Sequence, residues 1–148
     1  MDKMVLDYTF LKSLLVMEDP KHDLAESMIS TFNDRTTCYI PFHIFLNVMQ
    51  LCNSYNNTVK EEVFHTLTNT CRIQNLNYKQ LLNHYPNILH SNDLLNFNDL
   101  LTIEYMKEKN IKVLLSFNEK FDNVKGINRV YDFDEYNKNI LNFFKYSK

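Results

Sequence analysis

Apolar positions in this chain fall into short continuous runs separated by longer segments with helical spacing. Met4-Val5-Leu6 is such a run, ending in Asp7, and Phe10, Leu11, Leu14, Leu15 and Val16 follow as a buried helix would. The pattern is strand, acidic turn, helix. Asp19-Pro20 stops that helix and starts another, with Leu24, Ala25, Met28, Ile29 and Phe32 on one face. Residues 36–40 read as a second strand closed by Pro41. A helix from about 42 to 51 carries Ile44, Phe45, Val48, Met49 and Leu51, and a polar turn occupies 53–58. Another helix, about 59–69, carries Val63, Phe64 and Leu67. Residues 76–85 form a weaker helical segment ended by Pro86, and 87–93 a polar connector.

Residues 95–130 carry the strongest signals. Asn96 stands before Phe97-Asn98-Asp99 as a helix N-cap with a carboxylate three residues on. Leu100, Leu101, Ile103, Tyr105 and Met106 continue at helical spacing. Asn110 ends the pattern after Lys107 and Lys109, whose charges suit a helix C-terminus. Lys112-Val113-Leu114-Leu115-Ser116-Phe117 has the composition of a buried parallel strand. An acidic turn and a second short strand, reaching Val130, complete the stretch. Residues 134–146 predict a last helix with Tyr136, Ile140, Leu141, Phe143 and Phe144 on its apolar side, a pattern of core or dimer seam.

Strands alternating with helices at these intervals require crossover connections. The expected fold is a single α/β domain spanning residues 1–148, three layers deep, with a central, mainly parallel sheet flanked by helices. With 45% apolar and 23% charged residues the chain has the makings of a full core and is not of disordered composition. A single glycine and three prolines disfavour glycine-rich phosphate loops and a turn-dense all-β fold. The net charge of −2 supplies no global field for nucleic acid, so a polyanion would need a local patch. Lys12, Arg35, Lys120, Lys125 and Arg129 are its candidates, although scattered basic residues also serve as ordinary solvated surface. Cys38, Cys52 and Cys71 have no CxxC spacing and read as three reduced thiols. No apolar run spans a membrane and no basic-then-apolar leader opens the chain, so a soluble, cytoplasmic protein is expected. The histidines lack metal-ligand spacing, and His22 and His43 read as helix-start or surface residues.

Acidic or amide side chains stand at four topologically similar places. Asp7 follows the first strand and Asn47 lies in the helix after the second. Asp99 is in the first turn of a later helix and Asn118 follows the next strand. In parallel α/β sheets, chemistry collects beyond the C-terminal ends of strands. Each residue also has a plain reading: Asp99 as a capping carboxylate, Asp7 and Asn118 as turn residues, Asn47 as a half-buried hydrogen-bonding amide.

Together MVLDYTFLKSLL, YIPFHIFLNVMQL, LNFNDLLTIEYMKEKNI and VLLSFNEKFDNVKGINRV resemble the PIN-domain family of metal-dependent ribonucleases. The likeness is to single-domain prokaryotic forms that act as toxins in toxin–antitoxin pairs. The resemblance implies Asp7 and Asp99 as catalytic, metal-holding carboxylates, with Thr9, Ser116 and Asp122 in support. Asn47 and Asn118 stand where the family carries acids, and Lys120 where many relatives are acidic. Mg²⁺ or Mn²⁺ is the implied cofactor, RNA the implied substrate, and an antitoxin-like chain or a second copy the implied partner.

Two carboxamides in place of two carboxylates keep oxygen atoms available but remove two negative charges from a site for a hard cation. An amide also cannot accept a proton from water. The expectation is therefore RNA phosphodiester hydrolysis weakened by a degenerate site. The alternative is a catalytically inactive relative that binds RNA or protein. Glu18, Asp19, Glu104 and Glu119 are the nearby acids available to compensate.

Overall fold

Strands β1 (Asp2–Leu6), β2 (Thr36–Pro41), β3 (Cys71–Gln74), β4 (Val113–Leu115) and β5 (Asn128–Val130) lie side by side in the order β3-β2-β1-β4-β5. Every neighbouring pair is parallel. The structure, a computed structural model, describes residues 2–77, 79, 81–83, 86 and 95–132. Parallel neighbours need crossovers. Helices α1 (Tyr8–Leu15) and α2 (His22–Ser30) lead from β1 to β2, and α3 (Phe42–Leu51) and α4 (Asn57–Thr70) lead from β2 to β3. Helix α5 (Phe97–Lys109) precedes β4, and a single 3-10 turn, Glu119–Asn123, separates β4 from β5.

The strands send alternate side chains to opposite faces, and both faces are covered. Met4 and Leu6 of β1, Cys38 and Ile40 of β2 and Leu115 of β4 join Phe10, Leu11, Ala25, Met28, Ile44, Phe45, Val48 and Leu67 from α1–α4. Val5, Tyr39 and Leu114, the residues between them, join Leu100, Ile103, Tyr105 and Met106 of α5 on the other side. This is the expected three-layer α/β architecture. Each large apolar side chain so buried contributes about 1.5–3 kcal/mol relative to exposure.

Local chemistry sets the ends of α5 as the sequence implies. Asp99 N–H donates to Asn96 Oδ1 at 2.9 Å, and Asn96 N–H donates back to Asp99 Oδ2 at 3.3 Å. At the other end Asn110 takes φ 53°, ψ 46°, a left-handed cap that asparagine tolerates well. Ile111 N–H then closes on the carbonyl of Met106 at 2.9 Å.

Three boundaries differ from the sequence pattern. β3 was not anticipated, because Cys-Arg-Ile-Gln directly after a helix has neither a long apolar run nor clean alternation. α4 begins at Asn57 rather than 59, with Asn56 Oδ1 accepting the N–H of Val59 at 2.9 Å. The fourth strand is half the length of its apolar run. In the segment 76–85, the described positions 79 and 81–83 are helical. The connector 87–93 and the helix expected over 134–146 lie outside the described residues.

Candidate active site

Strand order reverses direction at β1: the chain first steps from β1 to β2 on one side, and later places β4 on the other. Such a switch point opens a crevice beyond the C-terminal ends of the two strands. A cleft of about 130 Å³ lies among residues that follow these strands, lined by Asp7, Tyr8, Thr9, Ile44, Asn47, Asn96, Asn98, Asp99, Thr102 and Asn118. Asp7, Asn47, Asp99 and Asn118 thus come together from β1, α3, α5 and β4.

Asp7 is the first residue after β1 and only 4% exposed. It occupies the N-cap position of α1 without making a side-chain cap. Its carboxylate faces the neighbouring strand end instead: Oδ2 accepts the Ser116 hydroxyl at 2.6 Å and the Thr9 hydroxyl at 2.9 Å. Both hydroxyls are held in turn. Phe117 N–H donates to Thr9 Oγ1, and Asn118 N–H donates to Ser116 Oγ, each at 3.0 Å. This network ties the start of α1 to the end of β4 and fixes the orientation of a buried charge.

Asp99 is half-buried in the first turn of α5, with Oδ2 engaged in the capping box. Capping and lining the cleft are therefore compatible for this residue. Burial pushes its carboxyl above the usual carboxylate range. The Asn96 N–H opposes that shift, the Asp7 charge reinforces it, and Lys120 and the Asn118 side chain pull it down. The two carboxylates feel each other across the cleft.

Asn118 caps the 3-10 turn, its Oδ1 accepting the N–H of Lys120 at 3.1 Å. Asn47 lines the opposite wall from α3, half-buried, beside Ile44. Asp122 is placed differently from the other sequence candidates. Both its oxygens are taken by Arg129, Nε to Oδ1 at 2.7 Å and Nη2 to Oδ2 at 2.9 Å, and it does not line the cleft. Arg129 Nη1 also donates to the Ser116 carbonyl at 3.1 Å, so the pair braces the strand end from behind.

Beneath the cleft, Thr102 Oγ1 meets His43 Nε2 at 3.0 Å and donates to the Asn98 carbonyl at 3.0 Å. His43, a helix-start residue as expected, is a half-buried link between α3 and α5. Burial lowers its pKa to about 4, against the hydrogen bond to the Asn98 backbone. Tyr8, Asn98 and Thr102 were not singled out from the sequence, although each had a signal. Tyr8 follows Asp7 directly, Asn98 precedes Asp99, and Thr102 lies one helical turn after it. A separate group, His22, Asp23 and Glu26, has ligand atoms within 4.8 Å of one another on α2. Two of the three, His22 Nε2 and Glu26 Oε2, are in direct i, i+4 contact at 3.0 Å.

The donor set of the cleft suits one hard divalent cation with a partial water shell. Asp7 and Asp99 would hold it, with the Asn47 oxygen as a neutral third donor. The Asn118 oxygen already accepts the Lys120 N–H and has one lone pair left for an ion.

Comparison with known proteins gives a consistent fold. The family model described as PIN domain matches residues 4–127. No curated protein matches significantly. Among solved structures, a Mycobacterium tuberculosis VapC20, a sarcin–ricin loop cleaving toxin, superposes with TM-score 0.69 at 15% identity, covering 82% of this chain and 95% of that one. VapBC2 from Rickettsia felis, bound to a promoter DNA fragment, gives 0.67 at 14% identity over 86% and 97%. A toxin–antitoxin complex from Klebsiella pneumoniae gives 0.63 at 17% identity over 88% and 99%. Identities this low speak to fold, while the family model covers most of the sequence on its own terms. The chain belongs to the PIN-domain family.

Proposed function

We propose that this single-domain chain hydrolyses RNA phosphodiester bonds with a divalent metal, Mg²⁺ or Mn²⁺, at a site weakened by two lost carboxylates. The observation that carries this reading is the meeting of Asp7 and Asp99 in one polar cleft at the switch point of the sheet. An ion bound there supplies neutralisation of phosphate charge and a lowered pKa for coordinated water. Asp7 is oriented for such a role by the Thr9 and Ser116 hydroxyls, which both occupy Oδ2. Asp99 is oriented by its cap. Asn47 and Asn118 line the same cleft without adding charge. RNA as substrate is supported by family membership and by the cleaving activity named for the M. tuberculosis relative. An RNA target implies a cytoplasmic setting.

Partner binding rests on similar ground. Two of the similar structures are complexes that include an antitoxin, which supports a small antitoxin-like chain as partner here. A homodimer is the second assembly proposed.

The alternative is a non-catalytic reading, an RNA- or protein-binding module on the same fold. Its ground is the pair of neutral amides, Asn47 and Asn118, that line the cleft beside Asp7 and Asp99. Calorimetric titration with MnCl₂ alongside an RNA cleavage assay separates the two. Saturable Mn²⁺ binding and cleavage, both lost in Asp7→Asn, support the enzyme. A protein that ignores Mn²⁺ yet binds RNA or a partner supports the module.

A further inference from the structure

The unanticipated strand β3 creates a pair of facing thiols. Cys38 of β2 and Cys71 of β3 are Cα partners in the parallel ladder. Both side chains enter the same core cluster, between the sheet and α3 and α4. Neighbouring strands run ~4.7–4.9 Å apart, inside the Cα separation of roughly 4.4–6.8 Å that a disulfide accepts. Both cysteines are free. Their surroundings are unequal. Cys38 is 7% exposed, whereas Cys71 sits half-buried on the edge strand, with Thr70 Oγ1 at 3.6 Å from its sulfur. The neighbouring Cys71 sulfur and burial both push the Cys38 thiol up. Cys71, on the open edge of the sheet, is therefore the sulfur that a small oxidant reaches first.

The geometry points to Cys38 and Cys71 as a cross-strand dithiol that hydrogen peroxide converts to a disulfide, with Cys71 as the attacking sulfur and Cys38 as the resolving one. In the first step the Cys71 thiolate attacks one peroxide oxygen. An S–O bond forms, the O–O bond breaks, and the departing hydroxide leaves as water with a solvent proton. In the second, the Cys38 sulfur attacks Cys71 sulfur, an S–S bond forms and the S–O bond breaks. The hydroxide released takes the Cys38 proton and leaves as a second water. Two electrons pass from the sulfurs to the peroxide. The product staples the edge strand to β2 and closes the chain segment that contains α3 and α4. Cys52, fully buried, stays outside the reaction.

The test uses the full chain treated with hydrogen peroxide, alkylated after unfolding, and digested without reductant. The expected mass spectrum contains one peptide pair joining Cys38 to Cys71, lighter by two hydrogens than the sum of its free peptides, with Cys52 alkylated. The melting temperature rises on oxidation and returns to its starting value with dithiothreitol. Cys38→Ser removes the resolving thiol, so Cys71 accumulates as sulfenic acid that dimedone traps. Cys38→Val carries the same readout with an apolar side chain in the core if the serine variant does not fold. Three alkylated thiols after peroxide overturn the proposal, as does a cross-link that uses Cys52. So does undiminished oxidation of Cys38 in Cys71→Ser.

Discussion

Ser116, at the end of β4, donates its hydroxyl to Asp7 Oδ2 at 2.6 Å, joining two strand ends that are 109 residues apart in sequence. Ser116 is fully buried and Asp7 nearly so. A hydrogen bond to a buried charge is worth more than one between neutral groups, and its loss leaves the carboxylate short of a donor. Ser116→Ala is expected to destabilise the fold by about 2 kcal/mol in urea denaturation. Thr9→Ala removes a longer bond from a less buried donor and should cost about 1 kcal/mol. Equal and negligible losses at both positions would sink the view that these hydroxyls hold the carboxylate.

The amides make a prediction of opposite signs for binding and stability. Asn47→Glu with Asn118→Asp restores two negative charges to a cleft that already holds Asp7 and Asp99. Mn²⁺ affinity, read by calorimetry, should rise by roughly tenfold or more, since carboxylate charge supplies much of hard-cation binding. In the presence of EDTA the same protein should melt below the parent, because four carboxylates then repel without an ion. A doubly substituted protein with unchanged Mn²⁺ affinity means that Asn47 and Asn118 are not ligand positions.

The sheet and both of its covers were legible in the sequence because β1, β2 and β4 are buried on two faces and so appear as apolar runs. The cap at Asn96 and Asp99 was legible because its chemistry is local. β3 was not, since its side chains are half-buried or exposed and edge strands need no continuous apolar run. The link from His43 to Thr102 is a contact 59 residues apart between two helices, and nothing in a local pattern encodes it. Asp122 shows the converse difficulty. The family resemblance suggested a supporting site residue, but Arg129, seven residues on, captures it. An acid near a strand end goes to whichever cation reaches it first.

That capture is asymmetric, and mutation should expose the asymmetry. The Asp122 side chain is 51% exposed and that of Arg129 is 6% exposed. Arg129 also donates to the Ser116 carbonyl and lies over the Tyr131 ring, 4.2 Å from its centroid. Asp122→Asn keeps an acceptor oxygen for Arg129 and places the change on the exposed partner, so it should cost about 1 kcal/mol. Arg129→Ala should cost about 2 kcal/mol, through lost packing and a buried carbonyl left without its donor. Thermal melts of the two variants in the same buffer measure the difference, and equal losses would refute the bracing role of Arg129.

His43 gives the fold a dependence on acid. Its pKa falls from the ordinary 6.5 to about 4 in the folded chain, chiefly because burial disfavours the imidazolium. Between those two values the unfolded chain binds the proton that the folded chain refuses. Stability is therefore complete above the unfolded value and declines as pH falls from about 6.5 toward about 4, by up to roughly 3 kcal/mol. Asp99 works against this trend, because its raised pKa makes the folded state the better proton acceptor at the acid end. The comparison that isolates the histidine is the denaturation midpoint of the parent against His43→Gln across that window. The glutamine variant should start lower at neutral pH if the Thr102 bond is imperfectly replaced, and then lose less on acidification. Parallel curves would assign the acid sensitivity to the carboxylates and remove His43 from the account.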